Sequence, residues 1–189
     1  MTAPLVLAST SPQRSAILSQ LRIPFEAVAP AYEEHDPPDA DPVALVRDHA
    51  RGKARSVHAA DRVTLGVDTT VHLGARIHAK PHDGDDARAM LRELAGCTHT
   101  VLSALCLVTP ERELVEHAET LVTFRELDDA TIERYVSSGE WEGRAGGYAI
   151  QGLGGRLVER IDGDYLNVVG LPGALLVRLL EENAPALLA

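Results

Sequence analysis

Between Leu5 and Leu18 the chain reads LVLASTSPQRSAIL. Three hydroxyl side chains, Ser9, Thr10 and Ser11, are followed by Pro12, Gln13 and Arg14. A helix starting here presents free backbone N–H groups and a partial positive charge, both of which attract an anion. The hydroxyls add donors and Arg14 adds a planar cation, so the stretch has the chemistry of a phosphate site. It has neither the Walker pattern nor the spaced glycines of a dinucleotide loop. Ser11 as a plain N-cap and Arg14 as a solvated charge fit the same letters. Asp68, in GVDTTV, closes an apolar run and precedes two threonines. A carboxylate in that position can hold a divalent metal or take a proton from water, and it can equally close a turn on its own backbone. Glu33, Glu34 and Asp36 in AYEEHD offer more carboxylates, or simply a solvated acidic surface.

Lysine is scarce. Of 18 basic residues only Lys53 and Lys80 are lysines, and the rest are arginines. Lysine supplies a compact point charge on a flexible stem, which Arg does not, so these two positions draw notice. The eight histidines make no H-E-x-x-H spacing, and none is expected as a metal ligand. Cys97 and Cys106 fit no zinc motif and read as reduced thiols. No G-x-S-x-G elbow supports a serine hydrolase.

These residues need elements to hold them. LVLAS reads as a buried strand, and Ser11 with Pro12 starts a helix carrying Ile17, Leu18 and Leu21 inward. Residues 23–30 read as a second strand, and residues 31–42 as a polar, proline-rich loop. Asp41 and Pro42 then open a helix to about His58, with Val43, Leu45, Val46, Ala50, Ala54 and Val57 facing inward. Residues 62–81 read as two strands around Gly74 and Ala75, and DGDDARAMLRELAG as a helix stopped by Gly96. Two long strands follow, then a capped helix over DDATIERYVSSGE. Short strands are expected at Tyr148–Ile150 and Leu157–Ile161, and a last helix after Pro172.

This alternation predicts an α/β fold with a twisted mixed sheet and flanking helices. A single domain over residues 1–189 is expected, with two lobes around a cleft bordered by the loops 31–42 and 139–147. A net charge of −10 and a single tryptophan argue against a nucleic-acid or anionic-membrane binder. No basic leader precedes the first strand and no apolar run reaches membrane length, so a cytoplasmic protein is expected.

Four stretches occur in order: LASTSPQRSAILSQL, GVDTTV, AKPHDGDDARAMLRELAGCTHTV and GRAGGYAIQGLGGRLVERIDGDYLNVVGLP. Together they resemble the Maf family of nucleoside triphosphate pyrophosphatases, from Leu5 to Pro172. The resemblance implies a fold similar to that of the inosine triphosphatases. It also implies hydrolysis of a nucleoside triphosphate to the monophosphate and pyrophosphate, with magnesium or manganese as cofactor. Roles in cleaning the nucleotide pool and in arrest of cell division go with the family, as does a homodimer.

Carried over by position, the phosphate loop falls on Ser9, Ser11, Pro12 and Arg14. The metal-binding glutamate falls on Glu34, substrate-binding lysines on Lys53 and Lys80, and the catalytic base, also a candidate metal ligand, on Asp68. Thr69 and Gln151 match the branch that prefers dTTP and UTP. A glutamine can both donate to and accept from a pyrimidine edge. Gln13 departs from that branch, which usually has Arg there, and Ala79 stands where the family usually has Gly before Lys80. Two other readings remain open: a nucleotide-sensing protein of cell division with weak catalysis, and a pyrophosphatase of modified purine triphosphates.

Overall fold

The computed structural model describes residues 3–37 and 40–189. Seven strands form one mixed sheet in the order β2-β1-β3-β5-β6-β7, with β4 paired to β3 outside this path. The strands are β1 (Leu5–Ala8), β2 (Phe25–Val28), β3 (Thr64–Leu73), β4 (Arg76–His78), β5 (Thr98–Val108), β6 (Glu113–Phe124) and β7 (Val158–Asp162). The helices are α1 (Pro12–Gln20), α2 (Pro42–Val57), α3 (Gly84–Leu94), α4 (Asp129–Val136), α5 (Tyr165–Val169) and α6 (Gly173–Asn183). The expected α/β class and mixed sheet are present. Among the described residues no helix is long and apolar enough to cross a membrane.

The chain divides into two compact units. The first comprises residues 1–69, 103–118 and 170–189, and the second 70–102 and 119–169. Strands β3, β5 and β6 each contribute residues to both.

In the first unit, β1 pairs in parallel with β2 and with β3, and α1 and α2 are the crossovers that parallel neighbours require. Leu5 and Leu7 on one face and Val6 and Ala8 on the other are all buried, as a strand covered on both faces demands. Alignment of Ala8 with Gly66 puts the end of β1 beside the stretch of β3 leading to Asp68. Ligands of parallel sheets gather at this carboxyl end of the strands. Helix α2 packs on β3 at Gly66, where a Cβ would lie 2.0 Å from the Ala50 carbonyl oxygen. Glycine is therefore required there for the helix to approach so closely.

The second unit has a core of Val71, Leu91, Leu94, Val101, Phe124, Ile132, Tyr148 and neighbours. Helix α3 contributes Ala87, Met90, Leu91 and Leu94, the face expected from its spacing. The strand expected at Tyr148–Ile150 does not form. Gly146 and Gly147, at φ of 72° and 68°, curl the chain into a 3-10 turn just before it. The Ala149 N–H then bonds the Tyr135 hydroxyl at 2.9 Å, and the Ala149 carbonyl accepts from Gly152. Local and side-chain partners thus replace the ladder that a strand needs. Helix α5 also lies outside the expected elements, being too short for a periodic signal.

Candidate active site

The first unit brings together two clusters. The first grows from the turn between β1 and α1. Ser11 is the N-cap, with extended backbone, and its Oγ accepts from the Arg14 N–H at 3.5 Å. Ser9 is buried and its Oγ accepts from the Ser11 N–H at 3.2 Å. Arg14 donates from Nη1 to Ser9 Oγ at 3.1 Å, from Nη2 to Thr69 Oγ1 at 3.3 Å and from Nε to the Gly170 carbonyl at 3.0 Å. Three of its five N–H groups are thus committed to protein oxygens, and the guanidinium plane is fixed before any ligand arrives. Burial lowers the Arg14 pKa, and the nearby Asp68 and Glu34 charges oppose that shift. Thr69 is tied in further, 2.9 Å from the Ser103 hydroxyl. Ser11 Oγ donates to the Gln13 side-chain oxygen at 3.2 Å.

The second cluster grows from α2. Asp41 caps this helix by accepting from the Ala44 N–H at 2.8 Å, and Pro42 takes its first position. Its buried face reads Val46, His49, Ala50, Lys53, Ala54, a stripe at helical spacing that includes two polar residues one turn apart. Gly66 and Asp68 lie two residues apart on β3 and so point to the same face, the one α2 covers. His49 and Lys53 consequently meet Asp68. Lys53 Nζ lies 2.6 Å from Asp68 Oδ1 and 2.5 Å from Glu34 Oε1. His49 Nδ1 lies 3.6 Å from Asp68 Oδ2.

Burial alone would raise the pKa of Asp68, which is 8% exposed. His49, the Lys53 ammonium and Arg14 outweigh it, and the carboxyl is held below the usual range. Attraction to Asp68 raises the His49 pKa against the opposing effect of burial.

The loop bearing Glu34 is fastened through Tyr32. A Cβ on Gly52 would lie 2.2 Å from the Tyr32 ring, so the ring lies against the bare backbone of α2. The Tyr32 and His49 rings also meet edge-on with centroids 5.8 Å apart.

Ser9, Ser11, Gln13, Arg14 and Thr69 therefore lie in one hydrogen-bonded group, and Glu34, Lys53 and Asp68 in another. Lys80 and Gln151 belong to the second unit, where both are exposed. Ala79, before Lys80, has no positive φ, so the usual glycine is not needed there. Tyr32 and Gly52 carry no signal in the sequence, and His49, not expected as a ligand, joins Glu34 and Asp68. The available signal was His49 four residues before Lys53 on one helix face.

Glu34, His49 and Asp68 each bring one potential ligand atom within 4.8 Å of the others. Two carboxylates and an imidazole suit a divalent cation, and Lys53 Nζ between the carboxylates shows that positive charge is accommodated there.

A family model described as Maf-like protein matches residues 4–183. Relatives named dTTP/UTP pyrophosphatase include one from Deinococcus radiodurans, 43% identical over 95% of this chain and 93% of the relative. One from Aquifex aeolicus is 45% identical over 94% of each chain. One from Gloeobacter violaceus is 47% identical over 96% of this chain and 97% of the relative. Among solved structures, a HAM1 protein from Coxiella burnetii matches with a TM-score of 0.53 and 14% identity, covering 96% of this chain and 100% of that one. That likeness concerns the fold alone.

Proposed function

This chain belongs to the Maf family, and on that premise we propose that it hydrolyses nucleoside triphosphates, dTTP and UTP foremost, to the monophosphate and pyrophosphate. The observation that carries the reading is the buried Asp68 paired with Lys53, beside the hydroxyl turn that ends β1. The names of the relatives support the substrate class.

A triphosphate carries about four negative charges, which repel an attacking water until they are neutralised. The N-terminus of α1 and the hydroxyls of Ser9 and Ser11 would receive phosphate oxygens. Arg14 would meet them with its two uncommitted N–H groups, its plane already set by Ser9, Thr69 and Gly170. Lys53 would divide its ammonium between Asp68 and the phosphates, and the family resemblance assigns Lys80 to substrate binding as well. Asp68, ionised at neutral pH because its pKa is lowered, would orient the water and accept its proton. Attack at the α-phosphorus then releases pyrophosphate. Glu34 and Asp68 are the carboxylates that would hold magnesium or manganese, and a bound divalent cation supplies charge neutralisation and polarisation at phosphorus. The family resemblance assigns Gln151 and Thr69 to base choice, and Thr69 would act on it through Arg14. A single domain of two lobes and a homodimer belong to the same reading on the family resemblance, and a cytoplasmic location goes with it.

The test is pyrophosphate release from a panel of nucleotides with magnesium or manganese. Release from dTTP and UTP ahead of purine triphosphates is expected. No release from any triphosphate overturns the reading and favours a sensing role, whereas a preference for modified purines overturns the substrate class alone.

A further inference from the structure

His49 is outside the set of residues that the family resemblance assigns, yet it lies in the carboxylate cluster and is 3% exposed. Its surroundings determine where its ring hydrogen sits. Nε2 faces the His35 carbonyl oxygen at 3.3 Å and an Asp36 carboxylate oxygen at 3.4 Å. A carbonyl and a carboxylate only accept, so Nε2 carries the hydrogen. Nδ1 faces Asp68 Oδ2 at 3.6 Å, and where the ring is neutral its lone pair and that oxygen are both acceptors. Two acceptors aimed at one space repel unless a positive centre lies between them. A charge-assisted N–H···O bond would draw the pair to about 2.8 Å. Ligands bonded at roughly 2.1 Å to one ion, by contrast, lie about 3 to 3.6 Å apart.

Asp68 also divides its oxygens. Oδ1 is taken by Lys53 and Oδ2 faces His49, so the histidine side is not the ammonium's side. An imidazole whose outer nitrogen is held by a carbonyl and a carboxylate, with its inner nitrogen turned to Asp68, has the arrangement that metal-ligating histidines adopt.

We propose that His49 Nδ1 is a third ligand to the divalent cation held by Glu34 and Asp68. The imidazole thereby tilts this chain toward manganese, cobalt or zinc over magnesium. The proposal rests on the reading that this carboxylate pair binds a metal. Magnesium takes oxygen ligands and gives up its waters reluctantly, whereas imidazole suits the later transition metals.

The test uses the full chain and the metal alone. Cobalt and magnesium are titrated into the wild type, His49→Leu and His49→Gln by calorimetry, and the manganese-loaded wild type is examined by pulsed electron paramagnetic resonance. Expected are a directly coordinated imidazole nitrogen on manganese and a loss of at least about tenfold in cobalt affinity in both variants. Magnesium affinity should change much less. The nitrogen signal is read on unaltered protein, so it decides the matter even if a variant folds poorly. Manganese bound to the wild type without nitrogen coupling overturns the role of His49 and leaves the carboxylate site standing. Equal losses for cobalt and magnesium overturn the selectivity. No binding of any of the three ions to the wild type overturns the proposal together with the metal reading beneath it.

Discussion

His49 in the first unit and His99 in the second, both buried, show opposite uses of the same side chain. His49 in the first unit is set between Asp68 and Asp36, and the Asp68 carboxylate raises its pKa despite burial. His99 in the second unit is packed edge-on against Phe124 and Tyr148, with Nε2 2.9 Å from the Tyr148 hydroxyl. There burial pushes its pKa down to about 4, and the Tyr148 hydroxyl is pushed up for the same reason. Desolvation acts on both histidines. At His49 the Asp68 carboxylate outweighs it, and at His99 it prevails. The first unit spends burial on holding charges ready for a ligand, while the second spends it on a neutral, close-packed core.

The comparison can be broken hardest at Asp68. Replacing it with Asn removes the proton acceptor but keeps the shape, so turnover should fall by at least about 100-fold while nucleotide binding persists. Near-normal turnover in a pyrophosphate-release assay would remove Asp68 from the mechanism. Lys53→Met tests the charge balance itself. It leaves Asp68 buried without its closest cation, and a loss of about 3 kcal/mol in denaturant unfolding is expected, together with lost activity.

The second unit gives the converse test through pH. The unfolded chain takes up a proton on His99 near the ordinary value of 6.5, whereas the folded chain does so only near 4. The unfolded state therefore binds more protons in this window, and the contribution of His99 to stability is lost as pH falls from 6.5 toward 4. Between pH 7 and pH 5 the loss is about 2 kcal/mol, and His99→Phe should abolish that part of the slope in paired denaturant titrations.

Gly52→Ala should act more gently and only on the first unit. The new methyl displaces the Tyr32 ring and with it the loop bearing Glu34, so activity should drop roughly tenfold with little change in melting temperature. An unchanged rate would mean that Tyr32 does not position the loop. The smallest effect is expected from Gln13→Arg, which adds a cation where the side chain now accepts from Ser11 Oγ. It should alter the ranking of nucleotides by a few-fold through phosphate contacts, read as kcat/KM across the panel.

Much of this protein was legible as a string of letters. The N-caps Ser11, Asp41 and Asp128, the prolines after the first two, and the period of α2 and α3 placed those helices because caps and periodicity are local signals. The α/β class followed from alternation, and Asp68, Lys53 and Arg14 stood out by type and position. The non-strand at Tyr148–Ile150 was illegible because the Tyr135 hydroxyl that takes up the Ala149 N–H lies 14 residues away.

By itself, then, the sequence determined the capped and periodic helices, the α/β class and the short roll of chemically able residues, since caps, periods and residue types are read within a few positions. Only the tertiary structure decided which of them meet. Gly66 lets α2 descend onto β3, and this one close approach turns the His49–Lys53 stripe from core filling into the surroundings of Asp68. It decided as well that His49 and His99, identical as letters, carry opposite shifts. Charge and solvent exposure are properties of what surrounds a group in space, and no local pattern records them.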